Sequence, residues 1–183
     1  MLTVEKIGGT SMSALAEVIG NIVFFNDQTA NRVLVVSAFS GVTNLLLENK
    51  KTKAPGVYHR LANNENFTVQ LAELTDHLKA LNRQYLALGL DVAAADDFID
   101  RHVARALTYL ESAVTMLVSG YLNEGILLAA REILASIGES HSAYVLANIL
   151  QNKGLKVELV DLSGFDDRRA LTISERIKML LQK

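Results

Sequence analysis

VEKIGGTSMS, residues 4–13, is the stretch of sequence from which the fold class follows. The run LTVEKI at residues 2–7 is typical of a short strand that ends at Gly8 and Gly9, and a helical pattern begins directly after the glycines. A second apolar run, RVLVVSA at residues 32–38, is typical of a strand buried in a parallel sheet. The order strand, helix, strand predicts a βαβ unit and therefore an α/β fold.

The turn that follows the first strand carries residues suited to phosphate. Backbone N–H groups are unpaired where a strand feeds the N-terminus of a helix, and glycines let an anion approach them closely. Lys6 adds a mobile positive charge, while Ser11 or Ser13 is the expected N-cap of the helix. The order of residues differs from a Walker A motif, because the lysine precedes the glycines. The alternative is a tight βα turn with a surface lysine.

A second polar turn follows the second strand, in SAFSGVTNLL at residues 37–46. Its hydroxyls belong to Ser37, Ser40 and Thr43, and a helix over residues 40–51 begins among them. Ligands of open α/β sheets bind at the carboxyl ends of the strands, so we expect these hydroxyls at the same edge as the lysine turn. The alternative is plain helix capping by Ser40 or Thr43.

A third polar stretch, SIGESHSA at residues 136–143, carries Glu139 directly after a glycine. The carboxylate either complements the dipole at a helix start or binds a substrate ammonium group. His141 is a candidate for the rim of the site, whereas His77 and His102 are predicted to be partly exposed on helix surfaces. The histidines lack metal-ligand spacing.

The remaining chain is mostly helical in pattern. The only proline, Pro55, lies in a predicted loop over residues 52–64, and residues 166–169 form a charged loop. Three convincing strands are fewer than a doubly wound sheet needs. The other predicted elements are helices over 65–89, 96–121, 126–138, 140–154 and 171–183, and a strand over 155–162.

Composition excludes several classes of protein. Half of the 183 residues are hydrophobic and the net charge is −2, so no global electrostatic attraction to nucleic acid or an anionic membrane is expected. There is no apolar run long enough to span a membrane and no secretory signal pattern. The absence of cysteine excludes disulfides and thiolate chemistry. We expect a cytoplasmic protein.

The three polar stretches together resemble a known family. VEKIGGTS, VVSAFSGVTNLL and GESHSAYVLANIL, in this order, resemble the N-terminal half of the aspartate kinases, with an isoleucine at position 7 where the family usually has phenylalanine. The resemblance implies the three-layer αβα fold of the amino acid kinases, which is carbamate kinase-like. KIGGTSM and the closing DLSGFDDRRALTISERI are similar to the subgroup linked to ectoine synthesis.

The resemblance implies a reaction and a role for each candidate residue. ATP and L-aspartate would give ADP and 4-phospho-L-aspartate, the first step toward lysine, threonine and methionine or toward ectoine, with Mg²⁺ accompanying ATP. Phosphate would be bound by the first turn, with Lys6 as the catalytic residue, and aspartate by the other two stretches. The phosphate-binding residues would be Lys6, Gly8, Gly9, Thr10 and Ser11, and the aspartate-binding residues Ser37, Thr43 and Glu139.

One expected segment does not occur. The family's G-R-G-G-S-D segment is not present in the sequence, so we interpret residues 1–183 as the N-terminal part of the catalytic domain, with a helical excursion at about 65–138. The ATP-binding part and the regulatory ACT domains would then lie elsewhere. We predict that the chain alone is a poor catalyst and that it forms a homo-oligomer. The alternative is a non-catalytic α/β protein that binds an anion or a partner and retains the phosphate cradle.

Overall fold

The computed structural model describes residues 2–24, 30–120, 123–164, 169 and 171–180. Its described strands are Thr3–Ile7 (β1) and Arg32–Val36 (β2), which form one small parallel sheet. The described helices are Gly9–Met12 (α1), Leu15–Val18 (α2), Val42–Leu46 (α3), Val57–Ala62 (α4), Thr68–Gln84 (α5), Val92–Val118 (α6), Asn123–Asn152 (α7) and Ile173–Leu180 (α8), with a π-helical turn at Ile19–Val23 and a 3-10 turn at Leu86–Leu88.

The predicted βαβ unit is confirmed. β1 and β2 pair in parallel from Thr3 opposite Arg32 to Ile7 opposite Val36, with α1, α2 and the π-helical turn between them. The pairing continues one step further, because the Ser37 amide donates to the Ile7 carbonyl over 3.1 Å. The carboxyl ends of the two strands therefore meet at one edge, as parallel strands must.

Arg32, the first residue of β2, stabilises the end of the βαβ unit opposite the strands' carboxyl ends. Its guanidinium forms a two-pronged ion pair with Glu5 on β1, at 2.9 and 2.6 Å. The same side chain donates to the carbonyls of Ile22 and Val23 at the end of the π-helical turn, at 2.8 and 2.7 Å. Only 11% of the Arg32 side chain is exposed, so these bonds are shielded from water. One residue thus joins both strands to the connecting helix.

The first helix differs from its prediction. A single helix was expected after Gly9, but α1 ends after Met12 and α2 starts at Leu15. Neither Ser11 nor Ser13 is an N-cap; the Ser13 hydroxyl donates to the Gly9 carbonyl over 3.2 Å and accepts from the Ser40 amide over 3.0 Å. The hydroxyl that was predicted to begin the helix instead ties its first turn to the turn after β2.

The predicted third strand is not paired with another strand in the described part of the chain. Residues 155–160 follow α7 with alternating exposure, and Leu155, Val157 and Leu159 are half-buried. A cleft of about 440 Å³ lies between this segment and β2. A side chain holds the segment instead, since the Gln151 amide donates to the Val157 carbonyl over 2.9 Å. The strand predicted over residues 155–162 is therefore not formed in the described structure.

The long helices follow the predicted 3.6-residue period. The apolar stripe of α5 is buried at Leu71, Leu74 and Leu78, and α6 buries Phe98 and Leu110. Burying a leucine or phenylalanine fully contributes roughly 1.5–3 kcal/mol to folding. These helices and α7 therefore form much of the hydrophobic core.

Two helical predictions were wrong. Residues 52–64 were expected to be a loop but contain α4, whose Val57 and Leu61 are buried one turn apart. The helices predicted over 126–138 and 140–154 are one continuous helix, α7. The sequence predicts a helix break at Gly138, but its lack of a side chain serves close packing.

None of the helices in the described ranges is long and apolar enough to cross a membrane.

Candidate active site

The start of α1 packs tightly against the turn after β2. A Cβ atom on Gly9 would lie 2.7 Å from the Ala38 carbonyl oxygen and 3.9 Å from the Ser37 hydroxyl oxygen. Real Cβ atoms do not approach a backbone oxygen so closely, so position 9 requires glycine. Gly8, by contrast, has nothing within 4 Å of its Cβ position and lies exposed at the N-cap of α1.

The residues around these glycines are open to solvent. Lys6 lies opposite Val35 in the sheet and is exposed, as are Thr10 and Ser11 in the first turn of α1. The first N–H groups of a helix have no partner within the helix. An exposed ammonium group and such N–H groups in one short segment are suited to an anion with several oxygen atoms. Phosphate binding by this turn stays a prediction from the sequence.

The turn after β2 begins α3 through its backbone. Gly41 is the N-cap of α3 with φ +86°, a left-handed conformation that favours glycine, and no side chain caps the helix. The alternative of capping by Ser40 or Thr43 is therefore wrong. Thr43 is exposed on α3 and Ser37 is half-buried at the end of β2.

α7 crosses this turn at Gly138. A Cβ on Gly138 would lie 2.9 Å from the Ala38 Cβ, 3.0 Å from the Leu46 side chain and 3.1 Å from the Val42 side chain. Because only glycine allows this approach, α7 lies directly on α3 and on the turn after β2. The next residue of α7 is Glu139, so its backbone is brought to the turn that carries Ser37 and Thr43.

The Glu139 carboxyl has an unusual environment. The residue is exposed, yet partial desolvation of the carboxyl raises its pKa, and the negative charge of Glu132 two turns earlier raises it further. A carboxylate beside a cation would have the opposite shift. The Glu139 environment therefore disfavours a lone negative charge and would be relieved by a bound cation.

Two histidines differ from their predictions. His141 is fully buried and His102 is only 3% exposed, so neither lies at a rim or on a helix surface. His77 is exposed, as predicted. The charged residues Asp166, Asp167 and Arg168 lie outside the described residues.

The sequence also gave no indication of a buried polar cluster beside Glu139. Asp161 accepts hydrogen bonds from the Ser140 hydroxyl at 2.9 Å, from the Ser163 hydroxyl and amide at 2.8 Å each, and from the His102 Nε2 at 3.2 Å. Burial of Asp161 opposes its ionisation, but these hydrogen bonds outweigh burial and lower its pKa to about 2. The cluster ties the end of the 155–162 segment to α6 and α7. A lone aspartate at the end of an apolar run is a weak signal, because its partners lie far away in sequence.

The described residues include no group of three or more histidine, aspartate or glutamate side chains that could hold a metal ion. The donors at this edge are an ammonium group, hydroxyls and backbone N–H groups, which fit phosphate oxygens better than a cation.

Comparison with known proteins identifies the class of protein. The model of the amino acid kinase family matches residues 1–183, and the chain belongs to this family. Its fold, helices around a small parallel sheet, is consistent with an incomplete amino acid kinase domain.

The chain is also similar to one individual member of a kinase class. The chain is 38% identical, over 185 aligned residues, to a protein of Stutzerimonas stutzeri (strain A1501) named aspartate kinase Ask_Ect. The alignment covers 97% of this chain and 39% of that protein, so the chain spans about two fifths of the relative's length. No solved structure matches the chain.

Proposed function

We propose that this chain forms the aspartate-binding part, and part of the phosphate-binding site, of an aspartate kinase. The observation that carries the proposal is the close packing at Gly9 and Gly138, which joins the lysine turn, the turn after β2 and the Glu139 segment. The 38% identity to a protein named aspartate kinase supports the substrate. Neither glycine contact would be needed if the three stretches served separate purposes.

In the proposed reaction, a side-chain carboxylate oxygen of L-aspartate attacks the γ-phosphorus of ATP. The bond from that phosphorus to the bridging oxygen breaks, and ADP leaves with the electron pair. Lys6 neutralises negative charge on the phosphoryl oxygens as the transition state forms, and the backbone at Gly8, Gly9, Thr10 and Ser11 lines the cradle. Positioning and charge stabilisation are the main contributions that a protein makes to phosphoryl transfer.

The other two stretches hold the amino acid. Ser37 and Thr43 contact aspartate, and the Glu139 carboxylate accepts hydrogen bonds from the ammonium group of aspartate. The raised pKa of Glu139 supports this role, because the arriving cation stabilises the ionised carboxylate. Mg²⁺ would accompany ATP and would be held mainly by phosphate and water oxygens.

The biological setting belongs to the same proposal. The product would enter the synthesis of lysine, threonine and methionine or of ectoine, and the Ask_Ect similarity favours the ectoine-linked subgroup. We also propose a cytoplasmic location and a homo-oligomer. Since the G-R-G-G-S-D segment does not occur in the sequence, the chain alone is expected to bind aspartate but to turn over poorly.

Calorimetric titration of the chain with L-aspartate, and then with ATP and Mg²⁺, tests the proposal. We expect aspartate to bind, and Glu139→Ala to abolish the heat. Glu124→Ala, which removes an exposed carboxylate elsewhere on α7, is the matched control and should bind like the wild type. No aspartate binding by a folded chain would contradict the proposed half-site. ATP binding without aspartate binding would favour the non-catalytic anion-binding alternative.

A further inference from the structure

A buried line of polar side chains crosses α7, α5 and α6. The His141 Nε2 lies 2.7 Å from the Asn82 Oδ1, and the Asn82 Nδ2 donates to the Asp96 Oδ1 over 2.8 Å. His141 and Asn82 are both fully buried. Because the amide nitrogen of Asn82 donates to Asp96, its oxygen must accept, and the His141 Nε2 therefore carries the proton.

The remaining nitrogen of His141 is buried without a partner. No hydrogen-bond partner for the Nδ1 lies among the described residues. Burial lowers the His141 pKa to about 3, with smaller contributions from His77 and His102, so the ring is neutral at physiological pH. A buried, half-satisfied imidazole destabilises the fold, and such a residue is more costly than an apolar side chain of similar size. Its presence calls for a reason other than stability.

The other side of the imidazole ring touches the turn after β2. The rings of His141 and Phe39 meet edge to face, with centroids 5.5 Å apart, and Phe39 stacks on Tyr85 at 5.3 Å. Phe39 is 1% exposed and lies between Ser37 and Ser40. His141 is thus fixed on one side by the long helices and on the other holds the hydrophobic anchor of the turn.

These contacts place His141 between the two proposed aspartate-binding elements. It lies two residues after Glu139 on α7, and its ring packs on the anchor of the turn that carries Ser37 and Thr43. The hydrogen bond to Asn82 fixes the rotation of α7 at this point, which an apolar side chain could not do. Glu139 and the turn therefore depend on one shared side chain.

We propose that His141 is a positioning residue, which holds Glu139 and residues 37–43 in the mutual arrangement that binds aspartate. It touches neither substrate nor phosphate; it acts through Phe39 and through α7. The inference rests on the proposed function for its purpose, while the coupling itself is a property of the chain and can be measured without a ligand.

Hydrogen exchange of backbone amides in the full chain tests the coupling. The amides to follow are those of Ser37, Val42 and Asn44, which donate to the carbonyls of Ile7, Phe39 and Gly41. In His141→Leu, which keeps apolar volume but loses the donor, we expect these amides to exchange about tenfold faster. Amides in the half of α6 near Tyr109 should keep their rates.

Two further variants separate positioning from general packing. His141→Gln retains an N–H donor for Asn82 and should restore rates to within about twofold of the wild type. Ser136 lies one turn before Glu139, and its hydroxyl donates only to the Ile133 carbonyl within α7. Ser136→Ala should therefore leave the exchange rates of residues 37–44 unchanged. Unchanged exchange at residues 37–44 in His141→Leu, or equal acceleration throughout the chain, would overturn the proposal. If His141→Leu does not fold, Asp96→Ala weakens the same line from its outer end and is judged by the same amides.

Aspartate titration of the same variants keeps the two proposals apart. If the wild type binds aspartate, His141→Leu should weaken binding and His141→Gln should recover it. Equal affinity of all variants for aspartate would overturn the positioning role. If the wild type does not bind aspartate, the proposed function fails, and the exchange rates still decide whether His141 couples the turn to the helices.

Discussion

Two regions of the molecule differ in how they are stabilised. One is the sheet edge where the two strands end, and the other is the set of long helices. At the edge the elements are short, α1 and α3 having four and five residues, and the candidate side chains are mostly exposed. The long helices α5, α6 and α7 have 17, 27 and 30 residues; α5 and α6 each bury an apolar stripe, and α7 buries both apolar and polar residues. Cooperative helices with buried faces provide stability, whereas exposed polar groups provide contacts for a ligand. The shape of this edge therefore depends on the helices that pack against it.

The largest expected effect concerns the buried imidazole of His141 on α7. The His141 pKa is lowered from 6.5 to about 3 in the folded chain. As pH falls, the imidazole is therefore protonated in the unfolded chain before it is protonated in the folded chain. Protonation of the unfolded chain therefore lowers the free energy of unfolding as pH falls below 6.5, and this loss is absent well above pH 6.5. Between pH 6.5 and 4, the free energy of unfolding should fall by about 3 kcal/mol more in the wild type than in His141→Leu. Denaturant titrations at several pH values measure this difference.

Asp161 does not contribute to the pH dependence between pH 6.5 and 4. Asp161, whose pKa is lowered to about 2, contributes stability that is present above pH 3.8 and is lost only below it. Parallel pH profiles for the wild type and His141→Leu between pH 6.5 and 4 would contradict a buried neutral imidazole at position 141.

A smaller effect is expected at the far end of the sheet. Arg32→Ala leaves Glu5 and two backbone carbonyls without their partner, and we expect a loss of about 2–3 kcal/mol in the free energy of unfolding. Arg101→Ala removes an exposed pair with Asp97 and should cost less than about 0.5 kcal/mol. Urea denaturation compares the two variants. Equal losses would mean that the Arg32 contacts do not fasten the βαβ unit.

Two glycines of α7 differ in the space around their Cβ positions. Gly138→Ala forces a Cβ against Ala38 and Val42 and should destabilise the chain by about 1–2 kcal/mol and weaken aspartate binding. Gly125→Ala enters open space and should stabilise it by about 0.5–1 kcal/mol through helix propensity. Thermal unfolding and calorimetry give both quantities. Stabilisation by both substitutions would show that the crossing at Gly138 is looser than described.

Sequence reasoning worked where the pattern itself determines the structure. The parallel βαβ unit and the stripes of α5 and α6 follow from local periodicity, and the meeting of the two turns follows from parallel pairing. It failed where distant residues decide. Gly138 has the sequence signal of a helix break, but its role depends on Ala38, 100 residues earlier. His141 was expected at the rim of the site, and its burial is explained by its contacts with Asn82, 59 residues away, and with Phe39.

The predicted third strand and the unpredicted helix α4 also depend on contacts that the local sequence does not show. The alternating segment at 155–160 has the pattern of a strand, yet strand pairing also requires a neighbour at the correct distance. α4 follows the only proline of the sequence, and that proline was the signal for a loop. Its burial at Val57 and Leu61 against the core outweighs that preference.

The pKa of Glu139, followed by carbon NMR of its carboxyl group with and without L-aspartate, tests the central claim most directly. The free chain should have a pKa above the ordinary value of 4.5, because the carboxyl is partly desolvated and near Glu132. Saturation with aspartate should lower the Glu139 pKa, because the bound ammonium group stabilises the ionised carboxylate. A Glu139 pKa that does not move at saturating aspartate would contradict the role of this residue in binding the substrate.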